Sequence, residues 1–283
     1  MKTYEKLTGF ADEISPDLET QIRSLKQLKM HYVEMRGVNG KDLIYHDNDS
    51  ISEIRTRLKE AGIQLSAVGS PIGKIGITDP FEKHYEDFKR AVEIAHKMGT
   101  SNIRMFSFYV GERTDAVRDE VLERLGKLLE YAKSEEIVLL HENEKDIYGE
   151  KAAACRELFD ALGCENFLGV FDFANFVQVG QDTLEAYELL KEHIAYVHVK
   201  DAILGSGRVV PAGYGDGHVG EILQKMFAGG YRGFLSVEPH LTDFEGFEEL
   251  ERNAGHSPSR GDEEAPDGFT AFSIARQALL ELL

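Results

Sequence analysis

The chain has 283 residues, of which 42% are hydrophobic, and its 50 acidic and 32 basic side chains give a formal net charge of −18. The length suits one large α/β barrel as well as two ordinary domains, and the hydrophobic content is ample for one large core. The acidic charge argues against a nucleic-acid backbone or an anionic membrane as a partner, because binding to either depends on Lys and Arg.

The cysteines and the N-terminal residues indicate the cellular compartment in which the protein is expected. Only Cys155 and Cys164 are present, within and near the end of one predicted helix, so we expect no disulfide framework and a reducing compartment. The first residues contain no apolar core of signal-peptide length. No stretch approaches the roughly 18 apolar residues of a membrane span. We therefore expect a soluble cytoplasmic protein without a membrane partner.

Strand and helix patterns alternate along the whole chain. Ser15-Pro16 predicts the start of the first helix, and the capping-box pattern at Ser50–Glu53 predicts the start of the second. The predicted strands are Lys6–Ala11, Tyr32–Met35, Ile63–Val68, Asn102–Phe108, Ile137–His141, Phe167–Phe173, Ile194–Val199 and Gly233–Val237. The later predicted helices begin near Asp79, Asp115, Lys151, Asp182, Gly220 and Thr270.

Eight strand–helix units predict an α/β fold, a single (β/α)8 TIM barrel spanning residues 1–283. The nearly continuous apolar strands are typical of a parallel sheet covered on both faces. In such barrels the active site lies at the carboxyl ends of the strands. Only the Glu-, Asp-, Gly- and Ser-rich segment Thr242–Gly268 breaks the pattern, and we interpret it as an acidic loop insertion or a lid over the strand ends.

Four of the predicted strands stop abruptly at an ionisable side chain. These residues are Glu142, Asp172, His198 and Glu238, and each alone has an ordinary interpretation as a solvated loop residue or a core histidine. Together they should converge, and buried carboxylates that converge repel one another unless a cation or protons neutralise them. Three carboxylates and one imidazole favour one divalent metal ion, whether Mn²⁺, Mg²⁺, Co²⁺ or Zn²⁺.

Two basic residues are candidates for contacts with a substrate. Lys200 either donates to a substrate oxygen or phosphate, or forms an ion pair with Asp201. Arg104, at the end of the fourth strand, either binds a carboxylate or phosphate, or forms a structural ion pair.

Four further residues are weaker candidates for the substrate pocket. Glu34 ends the second strand and His240 lies just beyond the eighth, so both are expected to line the pocket. Asp216 and His218 follow the seventh strand, where a polar loop tip is the alternative interpretation.

Over nearly its whole length the chain resembles the xylose-isomerase-like TIM-barrel superfamily of sugar phosphate isomerases and epimerases. The resemblance lies in the motifs HENEKDIYG, FDFAN, YVHVKD, VVPAGYGDG and SVEPH. It implies that Glu142, Asp172, His198 and Glu238 are the metal ligands and that the two glutamates also act as acid and base. Asn175 stands where the 3-epimerases have a histidine, so the sugar contact made there is not carried over. The third and fourth strand ends lack the histidines of endonuclease IV, which disfavours a nuclease.

The chemistry of such a site can be stated directly. A divalent ion that chelates a sugar carbonyl and its neighbouring hydroxyl stabilises the enediolate formed when a proton leaves. A carboxylate removes that proton, and an acid returns it to the same or the adjacent carbon. We therefore predict a metal-dependent isomerase or epimerase of a small sugar or sugar phosphate. A lyase resembling inosose dehydratase and a non-catalytic, metal-containing carbohydrate-binding barrel stay open as alternatives, as does a homo-oligomer.

Overall fold

A computed structural model describes residues 4–242 and 266–283 of the chain. Its main strands are β1 (Leu7–Gly9), β2 (Tyr32–Met35), β3 (Gln64–Gly69), β4 (Asn102–Met105), β5 (Val138–Glu142), β6 (Phe167–Asp172), β7 (Ile194–Val199) and β8 (Phe234–Val237). They form one parallel sheet in the order β1-β8-β7-β6-β5-β4-β3-β2, and a parallel bridge between Phe10 and Glu34 joins its two edges. The predicted (β/α)8 TIM barrel is therefore confirmed.

Helices connect the strands and cover the outside of the barrel. The described helices are α1 (Leu18–Gln27), α2 (Asn48–Glu60), α3 (Phe81–Met98), α4 (Asp115–Ser134), α5 (Ala152–Leu162), α6 (Phe173–Gln178), α7 (Thr183–Leu190), α8 (Val219–Ala228) and α9 (Gly268–Leu282). None of these helices is both long enough and apolar enough to cross a bilayer. The interpretation of Thr242–Gly268 as an insertion falls mostly on residues 243–265, which lie outside the described residues.

Two predicted helix starts were wrong. The first helix is capped by Asp17 rather than Ser15-Pro16, and the second by Asp47 rather than Ser50. In each case the aspartate accepts a hydrogen bond of 2.8 Å from the backbone N–H three residues later. A carboxylate at this position also interacts favourably with the positive end of the helix dipole. An uncharged serine hydroxyl lacks this charge–dipole interaction.

The loop between β3 and α3 packs closely on the chain that follows β4. The fourth strand ends at Met105, earlier than predicted, because the backbone N–H of Phe106 donates to the carbonyl of Ile72 at 2.7 Å. Gly73 has a φ of +91°, and a Cβ there would lie 2.0 Å from the carbonyl oxygen of Phe106. The N–H of Gly73 donates to His84 Nε2 at 2.7 Å, so a buried imidazole of α3 fixes the position of this loop.

We expect His84 to make the protein sensitive to acid. Burial lowers the pKa of His84 to about 4, whereas in the unfolded chain it lies near 6.5. Between these values the unfolded chain binds more protons, so stability falls as the pH falls, by about 2 kcal/mol at pH 5. The test measures the free energy of unfolding by urea titration at pH 7 and pH 5. His84→Gln keeps an acceptor for the N–H of Gly73, and between these two pH values it should lose about 2 kcal/mol less stability than wild type. An unchanged pH dependence in the variant would contradict this.

Candidate metal centre

The four strand-end residues meet at one mouth of the barrel. One ligand atom from each of Glu142, Asp172, His198 and Glu238 lies within 4.8 Å of the others. Glu142 and Asp172 end β5 and β6, His198 lies in β7, and Glu238 directly follows β8. All four are buried. We call this group the ligand cluster, because three carboxylates and one imidazole at this spacing could hold a single divalent ion.

The two carboxylate oxygens of Asp172 have different environments. Oδ1 accepts a hydrogen bond of 2.7 Å from the backbone N–H of Asn175 and so caps α6, a short helix that the sequence patterns do not predict. The side chain of Asn143 brackets the backbone of Asp172, with hydrogen bonds of 3.0 and 2.9 Å to its carbonyl and from its N–H. Oδ2 accepts no hydrogen bond from any described residue although it is buried. Its cationic neighbour is the Lys200 ammonium at 3.2 Å, so this position suits a positive charge.

His198 faces the other cluster members with one ring nitrogen only. Its Nδ1 lies 2.9 Å from Glu142 Oε1 and 3.4 Å from Glu238 Oε2. On the opposite edge, Nε2 lies 3.1 Å from Glu34 Oε2, which also accepts a hydrogen bond of 2.6 Å from Ser236. The sequence predicts Glu34 at the substrate pocket, but the carboxylate lies behind the imidazole. Its contact is therefore with the ligand histidine, whose tautomer it can determine.

Lys200 lies between two members of the ligand cluster. Its Nζ is 2.9 Å from Glu238 Oε2 and 3.2 Å from Asp172 Oδ2. The alternative interpretation, an ion pair with Asp201, was wrong. Asp201 instead fastens the loop between β7 and α8 by accepting hydrogen bonds from several backbone N–H groups, those of Ala202, Gly213, Gly215 and Gly217.

Arg104 forms an ion pair with a member of the ligand cluster. Its Nε lies 3.3 Å from Glu142 Oε2, and its Nη1 donates to the carbonyl of Ser70 at 3.0 Å. The guanidinium also lies against the rings of Phe10 and Phe106, with centroids at 5.6 and 4.6 Å. These contacts hold Arg104 firmly at one side of the cluster.

A second group of candidate ligands adjoins the cluster and shares Glu238 with it, the other members being Glu13 and His240. His240, predicted to line the pocket, lies with Nε2 3.2 Å from Glu238 Oε1 and 3.4 Å from Glu13 Oε1. The guanidinium of Arg36 lies 3.6 Å from Glu238 Oε1 and 3.4 Å from Glu13 Oε1. Arg36 also pairs with Asp12 at 2.8 Å. Because Arg36 already supplies positive charge here, this group needs no second metal ion.

Asp216 makes its contact within the loop between β7 and α8, and His218 makes its contact with the first residue of α7. Asp216 Oδ2 accepts a hydrogen bond of 2.7 Å from the N–H of Leu204. His218 Nδ1 lies 3.2 Å from Thr183 Oγ1. Both side chains are exposed, in contrast to the buried ligand cluster. Their position matches the polar loop tip that was the alternative to a role at the substrate.

Negative charge exceeds permanent positive charge among the described residues around the cluster. Burial alone would lower the pKa values of His198 and His240, but the neighbouring carboxylates have the larger effect. The pKa of His198 therefore lies well above its usual value, and the pKa of His240 is about 9. Protonated imidazoles therefore offset part of the excess in metal-free protein, and a divalent ion bound there would replace one proton of His198 and add its own charge. The permanent cations are Arg36, Arg104 and Lys200, and the carboxylates are Asp12, Glu13, Glu34, Glu142, Asp172 and Glu238.

Sequence reasoning did not identify Glu13, Arg36 or Asn143 as parts of the site. Arg36 and Asn143 each follow a predicted strand-end position, which was the signal available for them. Glu13 lies in a turn after β1 and meets His240 only because β1 and β8 are neighbours in the closed sheet. That contact joins residues at opposite ends of the chain, and no local pattern encodes it.

Several comparisons with known proteins agree with this fold. The family profile described as xylose isomerase-like TIM barrel matches residues 22–260. The uncharacterized protein YihM of Escherichia coli (strain K12) is 26% identical over 144 residues, which cover 50% of this chain and 43% of that protein. The chain therefore matches less than half the length of this curated relative.

Solved structures of low sequence identity share the architecture. L-ribulose 3-epimerase superposes with a TM-score of 0.77 at 18% identity, covering 98% of this chain and 94% of that one. D-allulose 3-epimerase from Methylomonas sp. superposes with a TM-score of 0.75 at 14% identity, covering 99% of this chain and 96% of that one. The probable 3-DHS dehydratase AsbF from Bacillus anthracis superposes with a TM-score of 0.72 at 15% identity, covering 96% of this chain and 98% of that one. These likenesses concern the fold, and the profile match over most of the sequence shows that the chain belongs to the xylose isomerase-like TIM barrel family.

Proposed function

We propose that the protein is a divalent-metal-dependent isomerase or epimerase of a sugar or sugar phosphate. The observation that carries this proposal is the meeting of three carboxylates and one imidazole within 4.8 Å at the mouth of the barrel. The buried Oδ2 of Asp172 accepts no hydrogen bond from the described residues and lies 3.2 Å from the Lys200 ammonium, so its position suits a positive charge. Two of the structural neighbours are by name sugar 3-epimerases, which supports the substrate class.

Glu142, Asp172, His198 and Glu238 would hold the ion, whose contribution when bound is Lewis-acid polarisation of a substrate carbonyl. Burial alone would raise the pKa of Glu142, but His198 and Arg104 outweigh it and hold the pKa at about 2. Burial acts likewise on Glu238, where Lys200 and His240 hold the pKa well below its usual value. Both glutamates are therefore ionised at neutral pH and available as proton acceptors.

The two glutamates are the proposed acid and base. One carboxylate accepts the proton from the carbon next to the substrate carbonyl, which leaves an enediolate. A carboxyl group then returns a proton. If Glu142 and Glu238 act on opposite faces of one carbon, the result is an epimer; return to the adjacent carbon interconverts aldose and ketose. Lys200 and Arg104, both at the cluster, are the proposed donors to substrate oxygens.

A dehydratase is the second candidate, because the probable 3-DHS dehydratase AsbF has the same fold. It would begin with the same proton removal, after which a hydroxyl on the next carbon leaves as water. The two reactions differ in product, since dehydration yields an enone that absorbs in the ultraviolet and epimerisation does not. A carbohydrate-binding barrel without turnover is the remaining alternative, and ligand-induced thermal stabilisation without isotope exchange would identify it.

Deuterium uptake from D₂O tests the proposal most directly. We expect Mn²⁺-loaded protein to label one carbon of at least one member of a panel of ketoses and ketose phosphates, and we expect EDTA to abolish the labelling. NMR then identifies the labelled carbon, which distinguishes epimerisation at C3 from isomerisation between C1 and C2. Protein that binds no divalent ion, or that exchanges no proton on any member of the panel, would refute the proposal.

A further inference from the structure

The ammonium of Lys200 already occupies the space between two of the proposed metal ligands. Its Nζ lies 2.9 Å from Glu238 Oε2 and 3.2 Å from Asp172 Oδ2, and the residue is only 4% exposed. Asp172 Oδ2 accepts no hydrogen bond from the described residues, so this ammonium is the cation that it faces. Two carboxylates this close together require a positive neighbour.

The other two permanent cations of the site are fixed by contacts outside the ligand cluster. Arg104 donates to the carbonyl of Ser70 and lies against two phenylalanine rings. Arg36 pairs with Asp12 and Glu13. Lys200 differs, since its ion pairs among the described residues are with cluster members only. A lysine also carries its charge on a flexible stem, so it can leave one partner without moving the backbone.

We infer that Lys200 competes with the divalent ion for Asp172 and Glu238, so that metal loading exchanges an ammonium for the ion at these two carboxylates. This inference rests on the metal site of the proposed function. In metal-free protein Lys200 keeps the carboxylates paired and the site assembled. On loading, the ammonium is released from Asp172 and is available to a substrate oxygen on the same side of the cluster.

Exchange has a consequence that a purely structural ion pair does not have. Removal of the ammonium should destabilise metal-free protein, because Asp172 is left buried without its cationic neighbour and Glu238 loses one of its positive neighbours. The same removal should strengthen metal binding, because the ion no longer has to displace a cation from its ligands. Stability and metal affinity should therefore change in opposite directions. If Lys200 only held the site in shape, both would fall together.

The test compares Lys200→Met with Lys74→Met at pH 8. Lys74 lies near the same mouth, pairs with Glu144 at 3.3 Å and lies over the ring of Phe106, so its loss removes the same charge without touching the cluster. We expect Lys200→Met to bind Mn²⁺ about fivefold more tightly or better in calorimetric titration. Its melting temperature in EDTA should fall by about 5 °C or more. Lys74→Met should keep the wild-type affinity for Mn²⁺ and should lose less thermal stability than Lys200→Met.

A second variant keeps the test decisive if Lys200→Met does not fold. Lys200→Arg retains the charge on a planar fork that grips carboxylates more firmly, so it should bind Mn²⁺ more weakly than wild type. Wild-type or weaker Mn²⁺ affinity in Lys200→Met, or unchanged affinity in Lys200→Arg, would overturn the exchange. Deuterium uptake by the wild-type protein distinguishes failure of the exchange from failure of the proposed function. If stability and Mn²⁺ affinity shift in opposite directions in Lys200→Met but no sugar is labelled, the proposed function alone is refuted. If a sugar is labelled but stability and affinity do not shift in this way, the exchange alone is refuted.

Discussion

Glu142→Gln is expected to lower the rate of proton exchange by about 10²–10⁴-fold without unfolding the protein. The amide keeps the shape of the side chain but cannot accept a proton from carbon. It also removes the negative charge that lies 2.9 Å from His198 Nδ1 and 3.3 Å from Arg104 Nε. The measurement is deuterium uptake into the substrate at saturating Mn²⁺, with the bound metal quantified in the same samples.

Glu144→Gln is the matched control for this variant. Glu144 lies two residues further along the same segment and pairs with Lys74 at 3.3 Å, outside the ligand cluster. Its exchange rate should stay within about threefold of wild type, since it removes an equal charge near the mouth without removing the proposed base. Glu142→Gln that contains metal and still exchanges at the wild-type rate would exclude Glu142 as the base.

Much of the fold follows from periodicity and from the apolar runs. The bounds predicted for the second and seventh strands are those of β2 and β7, and the helix predicted to begin near Asp115 is α4. The patterns are clear there because α4 is a long segment and the two strands are short runs of mostly apolar residues. The predictions were weaker where one side chain decides the boundary. Asp17 and Asp47 displaced the predicted caps, and α6 is too short to show a helical period.

The ligand cluster itself was accessible from sequence because each member stands where an apolar strand stops. Parallel strands that end at one face of a barrel bring such residues together, whatever their separation along the chain. The surroundings of the cluster were not accessible in this way. Glu34 and Lys200 both stand at strand ends, yet one lies behind the imidazole and the other between two carboxylates. Side-chain direction within the closed barrel decides between these positions, and sequence spacing carries no information on it.

Glu34→Gln should weaken Mn²⁺ binding about 10–100-fold although Glu34 is not a member of the ligand cluster. A carboxylate can only accept a hydrogen bond, and in metal-free protein Glu142, at 2.9 Å, favours a proton on Nδ1. The contact of 3.1 Å between Glu34 and His198 favours a proton on Nε2 as well. That leaves the lone pair of Nδ1 for the ion once the second ring proton is lost. A glutamine can instead donate to Nε2, which favours the tautomer with its proton on Nδ1, where the ion would bind.

The measurement pairs calorimetric Mn²⁺ titration with ¹⁵N NMR of the histidine rings at high pH in metal-free protein. Ser236→Ala is the control, because it removes the hydroxyl that donates to Glu34 at 2.6 Å but leaves the carboxylate facing His198. We expect a smaller loss of affinity in that variant and an unchanged tautomer. Wild-type affinity in Glu34→Gln, or weaker binding with the Nε2 proton still in place, would show that the carboxylate does not act through the tautomer. The outcome thus separates orientation of the ligand from the simple loss of a buried charge.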